Sequence, residues 1–73
     1  MKRQVLKGDM GKFGKIIAGE PGYKKTVYGT VLHVDYFGAV SFLDNEDILH
    51  LFRMNHVDSF EEEEFKAMNI PKQ

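Results

Sequence analysis

The glycine- and lysine-rich start of the chain is the first place where residue types and spacing could do chemistry. A nucleotide-phosphate loop needs four residues between two glycines, then Lys, then Ser or Thr. Residues 11–15 read Gly-Lys-Phe-Gly-Lys, with only two residues between the glycines and Ile16 after the second lysine. The Gly-x-x-Gly spacing that recurs here clamps nucleic-acid backbone only where it joins two helices. We therefore interpret these clustered glycines as residues of flexible turns and not as a phosphate site.

Three histidines and an acidic turn are the candidates for a metal site. His33, His50 and His56 could offer three imidazoles to zinc if separate strands brought them together, but their spacing fixes no local ligand pair. Residues 44–47, Asp-Asn-Glu-Asp, resemble the start of a calcium loop without its glycine at position six or its glutamate at position twelve. The chain has no cysteine, so thiolate zinc sites and disulfides are excluded. We predict no metal and no cofactor.

Catalytic groups are equally sparse. Ser41 and Ser59 have no glycine elbow around them, and no cysteine nucleophile exists. The run Glu61–Glu64 is explained by helix capping (below). We predict that the protein is not an enzyme.

Basic and aromatic residues alternate in the first third of the chain, a pattern that suits single-stranded nucleic acid, where bases stack on rings and lysines follow the phosphates. A solvated basic loop whose aromatic rings fill the core is the alternative interpretation. The net charge of −1 disfavours strong nonspecific phosphate binding. RNA binding is therefore the alternative hypothesis. Its candidate residues are Lys12, Lys15, Tyr23, Lys24 and Lys25.

Charge is divided unevenly along the chain. Residues 1–25 hold seven bases and two acids, a net of +5, whereas residues 26–73 hold three bases and nine acids, a net of −6. A division of this kind indicates a charged partner, another copy of the chain, or neutralisation of one half by the other.

The elements that must position these residues are mostly strands. Segments dense in β-branched and aromatic residues, separated by Gly, Pro, Asn and Asp, predict four or five of them. Gly29 inside the longest segment suggests a bulge or a sharp bend. The expected strands are Lys12–Ala18, Thr26–Asp35, Ala39–Leu43, Ile48–Arg53 and a short segment His56–Asp58.

The last residues have a helical pattern. Ser59-Phe60-Glu61-Glu62 is a capping-box sequence, and Phe65 and Met68 would share one helix face before Pro71 ends it. We predict a C-terminal helix within residues 59–69.

Seventy-three residues allow one domain with one small core. We expect residues 1–11 to form an arm or loop, residues 12–58 a small SH3-like open barrel of four to five antiparallel strands, and residues 59–69 the helix, a mainly β fold. No apolar run approaches the roughly 18 residues that a membrane-spanning helix needs. The basic start has no apolar segment typical of a secretory signal, so a cytoplasmic location is expected.

Part of the chain resembles two families of small barrels. Gly29–Asp35 is similar to the Gly-x-Val/Leu-x-x-x-Asp strand of Sm-like proteins, with Phe42-Leu43-Asp44 similar to the strand after it. Lys7-Gly8-Asp9 together with Gly29-Thr30-Val31 resembles the edges of a KOW-type barrel. Both resemblances imply an SH3-like barrel, and both families commonly bind RNA or ribonucleoprotein partners.

Nine aromatic rings are more than so small a core can easily bury, and exposed rings are favoured at interfaces. Tyr36 and Phe37, adjacent in a predicted turn, are the best candidates for exposed contacts. The leading hypothesis is therefore a binding module for another protein, or for a second copy of itself through open strand edges.

Overall fold

The structure, a computed structural model, describes residues 3–64, which form one sheet of five antiparallel strands. The first four strands follow one another as a meander, and the fifth returns to pair with the first, so that the order across the sheet is β4-β3-β2-β1-β5. Single 3-10 turns lie at Lys7–Asp9 and Met54–His56. The strands are β1 Phe13–Ala18, β2 Lys25–Val34, β3 Ala39–Asp44, β4 Leu49–Arg53 and β5 Val57–Glu62.

The first four expected strands are confirmed, with boundaries that move by no more than one residue, whereas the fifth, expected over His56–Asp58, extends to Glu62. Alternation decides which side chains face inward: Ile16 and Ala18 of β1 and Val40 and Phe42 of β3 are all buried. Val40 and Phe42 therefore share the inward face of β3.

The core lies on one face of a strongly curved sheet. The rings of Phe42 in β3 and Phe60 in β5 meet edge to face with centroids 6.5 Å apart. Because β2 and β1 separate these strands in the sheet, that contact requires strong curvature. The buried apolar residues are Val5, Ile16, Ala18, Val31, Val34, Val40, Phe42, Phe52, Val57 and Phe60.

Two glycines lie side by side where the sheet is most tightly packed. Gly14 of β1 is the register partner of Gly29 of β2. A Cβ on Gly29 would collide with the backbone of Leu43 in β3, and one on Gly14 with the backbone of Glu61 in β5. The register shift of β2 lies between Val31 and His33, so Gly29 serves close strand approach and the irregularity is at Leu32, three residues further on.

The predicted C-terminal helix is wrong over its first residues. Ser59 and Phe60 are buried within β5, where Phe60 pairs with Ile16 and Glu61 with Lys15 of β1. A capping box is a local signal worth about 1 kcal/mol, whereas burying a phenylalanine contributes about 1.5–3 kcal/mol in addition to the ladder hydrogen bonds. The part of the predicted helix beyond Glu64 lies outside the described residues.

The expected N-terminal arm, as far as it is described, packs on the sheet. The Arg3 carbonyl accepts a hydrogen bond from the Phe60 N–H at 2.8 Å, and Gln4 Nε2 donates to the Val57 carbonyl at 2.9 Å. Val5 is fully buried. The arm therefore covers the outer edge of β5. No helix within residues 3–64 has the length and apolar character needed to cross a membrane.

Candidate protein-interaction surface

The turn between β2 and β3 presents an aromatic ring to solvent on a fixed backbone. Asp35 Oδ1 accepts a hydrogen bond from the Phe37 N–H at 3.0 Å, and the Asp35 carbonyl accepts one from the Gly38 N–H, also at 3.0 Å. These bonds shape the turn because an Asp side chain can substitute for a backbone acceptor. Phe37 is 100% exposed at its tip.

Tyr36 anchors the same turn to the N-terminal arm. Its hydroxyl accepts a hydrogen bond from the Lys7 N–H at 2.8 Å, and the Lys7 ammonium lies 5.5 Å from the centre of its ring. One face of Tyr36 is thus engaged within the protein, while the ring stays partly exposed. Of the two predicted contact residues, Phe37 is fully exposed, whereas Tyr36 attaches the turn to the N-terminal arm.

A shallow groove of about 250 Å³ runs from this turn to the 3-10 turn after β4. The Met54 N–H donates to the Gly38 carbonyl at 2.9 Å and holds the two walls together. The rings of Tyr36 and Phe37 and the thioether of Met54 offer apolar contact. The guanidinium of Arg53 and the amide of Asn55 offer polar contact at the rim. The lining residues are Tyr36, Phe37, Gly38, Arg53, Met54 and Asn55.

The lysines predicted to bind RNA are mostly paired with acids of the second half of the chain. Lys12 Nζ lies 3.5 Å from Glu62, and Lys15 Nζ lies 3.4 Å from Glu61, because basic β1 runs beside acidic β5. Lys24 Nζ lies 3.2 Å from Asp58. Neutralisation of one half of the chain by the other therefore accounts for much of the uneven charge.

The other two RNA candidates, Tyr23 and Lys25, are exposed. Lys25 begins β2 and Tyr23, 80% exposed, lies in the loop before it. Lys24 between them directs its ammonium inward, to the carbonyls of Gly19 at 2.7 Å and His56 at 3.0 Å. Three of the five candidates are thus paired with acids, and the other two are exposed.

A buried carboxylate that sequence reasoning missed organises the arm. Asp9 accepts two hydrogen bonds from the Arg3 guanidinium and one from the Leu6 N–H, each at 2.8 Å. The Arg3 hydrogen bond is the main cause that lowers the pKa of Asp9, followed among the lowering causes by the Leu6 N–H, with Lys12 at 3.7 Å adding to them. The sequence signal was an acid isolated among bases at spacings of six and three residues.

A second carboxylate shapes the turn between β3 and β4. Asp44 Oδ2 lies 2.8 Å from His50 Nε2, while Oδ1 accepts the backbone N–H groups of Glu46 at 2.8 Å and Ile48 at 2.9 Å. The His50 bond is the first cause that lowers the pKa of Asp44. The residues once considered for calcium thus build a hairpin turn.

The histidines are dispersed. His33 lies on the outer face of β2, His50 stacks on Phe52 with ring centroids 5.3 Å apart, and His56 ends the second 3-10 turn. Within residues 3–64 there is no group of three or more side chains that could hold a metal ion.

Comparison with known proteins adds no relative: no protein-family model, curated protein or solved structure matches this chain.

Proposed function

We propose that this protein is a non-catalytic binding module, an SH3-like barrel that recognises a segment of another protein. The barrel is supported by the strand order, by the 3-10 turn immediately before β5, and by the contact of Phe42 with Phe60 across two intervening strands. The ten buried apolar residues then line the interior of the barrel.

The observation that carries the binding proposal is Phe37, a fully exposed phenylalanine on a turn fixed by hydrogen bonds. Exposing a ring costs free energy that burial against a partner would recover, about 1.5–3 kcal/mol for a phenylalanine. Because the turn is already ordered, this protein would lose little conformational entropy when a partner binds to it.

The groove chemistry indicates the type of segment bound. Phe37 and Met54 offer apolar contact, and Arg53 lies exposed at the rim with no ion pair to another residue in the described part of the chain. An extended peptide with an apolar side chain and a neighbouring Asp or Glu fits both, since arginine pairs well with carboxylates.

RNA binding has less support. Lys12, Lys15 and Lys24 already contact Glu62, Glu61 and Asp58, so phosphate would have to displace intramolecular carboxylates.

Selection of peptides from a displayed random library tests the proposal. We expect enrichment of sequences that pair an apolar side chain with an acidic one, and loss of their binding in Phe37→Ser. Tyr23→Ser, which removes an exposed ring elsewhere, is the matched control. Equal binding by Phe37→Ser and the unmodified protein would contradict the proposal. Binding of single-stranded RNA that weakens steeply with salt would favour the alternative.

A further inference from the structure

The outer edge of β4 is unpaired and apolar. β4 is the last strand of the sheet and, among residues 3–64, only β3 pairs with it. Leu49 and Leu51 are 56% and 69% exposed, and Ile48 before them is also exposed. Proteins usually protect such edges with lysine, proline or a bulge. None of these occurs between residues 48 and 53.

The direction of the free backbone groups on β4 follows from the hydrogen bonds at its two ends. The Ile48 carbonyl accepts the Asp44 N–H at 3.0 Å, and the Met54 N–H donates to Gly38, so both even-numbered residues direct these groups toward β3 and its preceding turn. In an antiparallel ladder this orientation alternates along the strand. Leu49, Leu51 and Arg53 therefore direct their N–H and C=O groups outward.

The opposite edge of the sheet is not equally available. The Arg3 carbonyl occupies the Phe60 N–H, and Gln4 occupies the Val57 carbonyl, on the outer side of β5. Head-to-tail association of β4 with β5 would have to displace this arm. Association of two equivalent β4 edges requires no displacement, and it closes the assembly at two copies.

We propose that two copies of this chain associate by antiparallel pairing of β4 with β4 about a two-fold axis at His50. This register places Leu49 of one copy opposite Leu51 of the other, twice, with their outward backbone groups hydrogen-bonded to each other. At each end it brings Arg53 of one copy toward Asp47 in the turn that precedes β4 of the other copy. Both charged residues are exposed, and neither forms an ion pair with another side chain in residues 3–64.

Charge and side-chain type select this register over its neighbours. A shift that places Leu51 opposite itself would put Arg53 against Leu49 and leave Asp47 without a cation. The opposite shift would put Asp47 against Leu51. Only the register centred on His50 forms two leucine pairs within the ladder, which stabilise a sheet, and also brings the Arg53 and Asp47 charges together at its ends.

This inference goes beyond the peptide groove, since Phe37 does not lie on the β4 edge, although Arg53 belongs to both the groove and the edge. The full chain is analysed by sedimentation equilibrium over a range of concentrations. We expect a monomer–dimer equilibrium whose Kd rises at least about tenfold in Leu51→Lys. Leu32→Lys, which places the same charge on an exposed leucine of β2, and Phe37→Ser are expected to dimerise normally.

A charge exchange tests the register itself. Arg53→Asp opposes two acids at each end and is expected to weaken the dimer, and adding Asp47→Arg to it is expected to restore the dimer. Amide exchange gives an independent measurement that needs no variant. The Leu49 and Leu51 amides should become protected as protein concentration rises, whereas the His50 amide, directed toward β3, should change little.

Three results would overturn the proposal: a monomer at every concentration, a dimer that Leu51→Lys leaves intact, or open-ended oligomers that indicate head-to-tail contacts. Loss of peptide binding in Phe37→Ser with an intact dimer would show that Phe37 acts in the groove and not in the edge pairing. A dimer lost in Phe37→Ser would contradict the edge pairing.

Discussion

Replacement of Asp9 by asparagine should remove the anchor of the N-terminal arm. The side chain is 2% exposed and accepts all of its hydrogen bonds as a carboxylate. An amide keeps one acceptor oxygen but turns an NH₂ group toward the donors of Arg3. A hydrogen bond to a charged group contributes about 1.5–3 kcal/mol. Arg3 is 40% exposed, so solvent screening reduces the effect, and we expect a loss of about 2 kcal/mol.

That loss is large for a chain of this size. At about 0.05–0.15 kcal/mol per residue, the whole domain is stabilised by about 4–11 kcal/mol. Urea unfolding followed by circular dichroism should show a lower midpoint with an unchanged m-value, and the melting temperature should fall by about 8–16 °C. Asp47→Asn, at an exposed aspartate, is the control. A midpoint for Asp9→Asn within error of that control would refute the reasoning.

The same variant should change the dependence of stability on pH. The folded state lowers the pKa of Asp9 below its ordinary value of 3.8, so between the two values the unfolded chain binds more protons. The contribution of Asp9 is therefore complete above pH 3.8 and is lost as pH falls through the lowered folded value. The stability difference between the unmodified protein and Asp9→Asn should narrow in that acidic range. A difference that stays constant down to pH 2 would show that charge is not its cause.

Two further predictions follow from the sheet. Gly29→Ala places a Cβ against the backbone of Leu43 and should destabilise the protein by about 2–3 kcal/mol; Gly8→Ala, with open space around it, should have little effect, and urea midpoints compare the two. Asp44→Asn weakens the bond to His50, and because the pKa of Asp44 is lowered, its stabilising effect should be complete above pH 3.8 and lost as pH falls from there through the lowered folded value; thermal melts from pH 6 down to pH 2 should show the difference between the two proteins narrowing in the acidic range.

The strands were predictable because their residue types and their partners agree. β2 and β3 are dense in β-branched and aromatic residues, and their partners are adjacent in sequence. The part of β5 from Ser59 onward was mistaken for a helix because the capping box at Ser59 is local, whereas the evidence for a strand is Ile16, more than forty residues away, opposite Phe60. Sequence reasoning from local patterns has no access to that pairing.

The candidate surface was predictable only in part. Adjacent rings in a turn indicated Tyr36 and Phe37, and the structure exposes Phe37 fully. The basic residues suggested phosphate binding because their acidic partners occur at the other end of the chain. Pairing of Lys15 with Glu61 depends on the return of β5 to β1, a topology that no local pattern encodes.

The return of β5 also has a consequence for the order of folding. Pairings within β1–β4 join neighbours in sequence, but Gly14 of β1 pairs with Glu62 near the end of the described chain. Closing that large loop costs entropy before any contact compensates for it. We expect the four-stranded meander to form in the transition state and β5 to dock afterwards. Val31→Ala should then slow folding, while Val57→Ala should mainly accelerate unfolding, and stopped-flow chevrons that show the reverse would contradict this order.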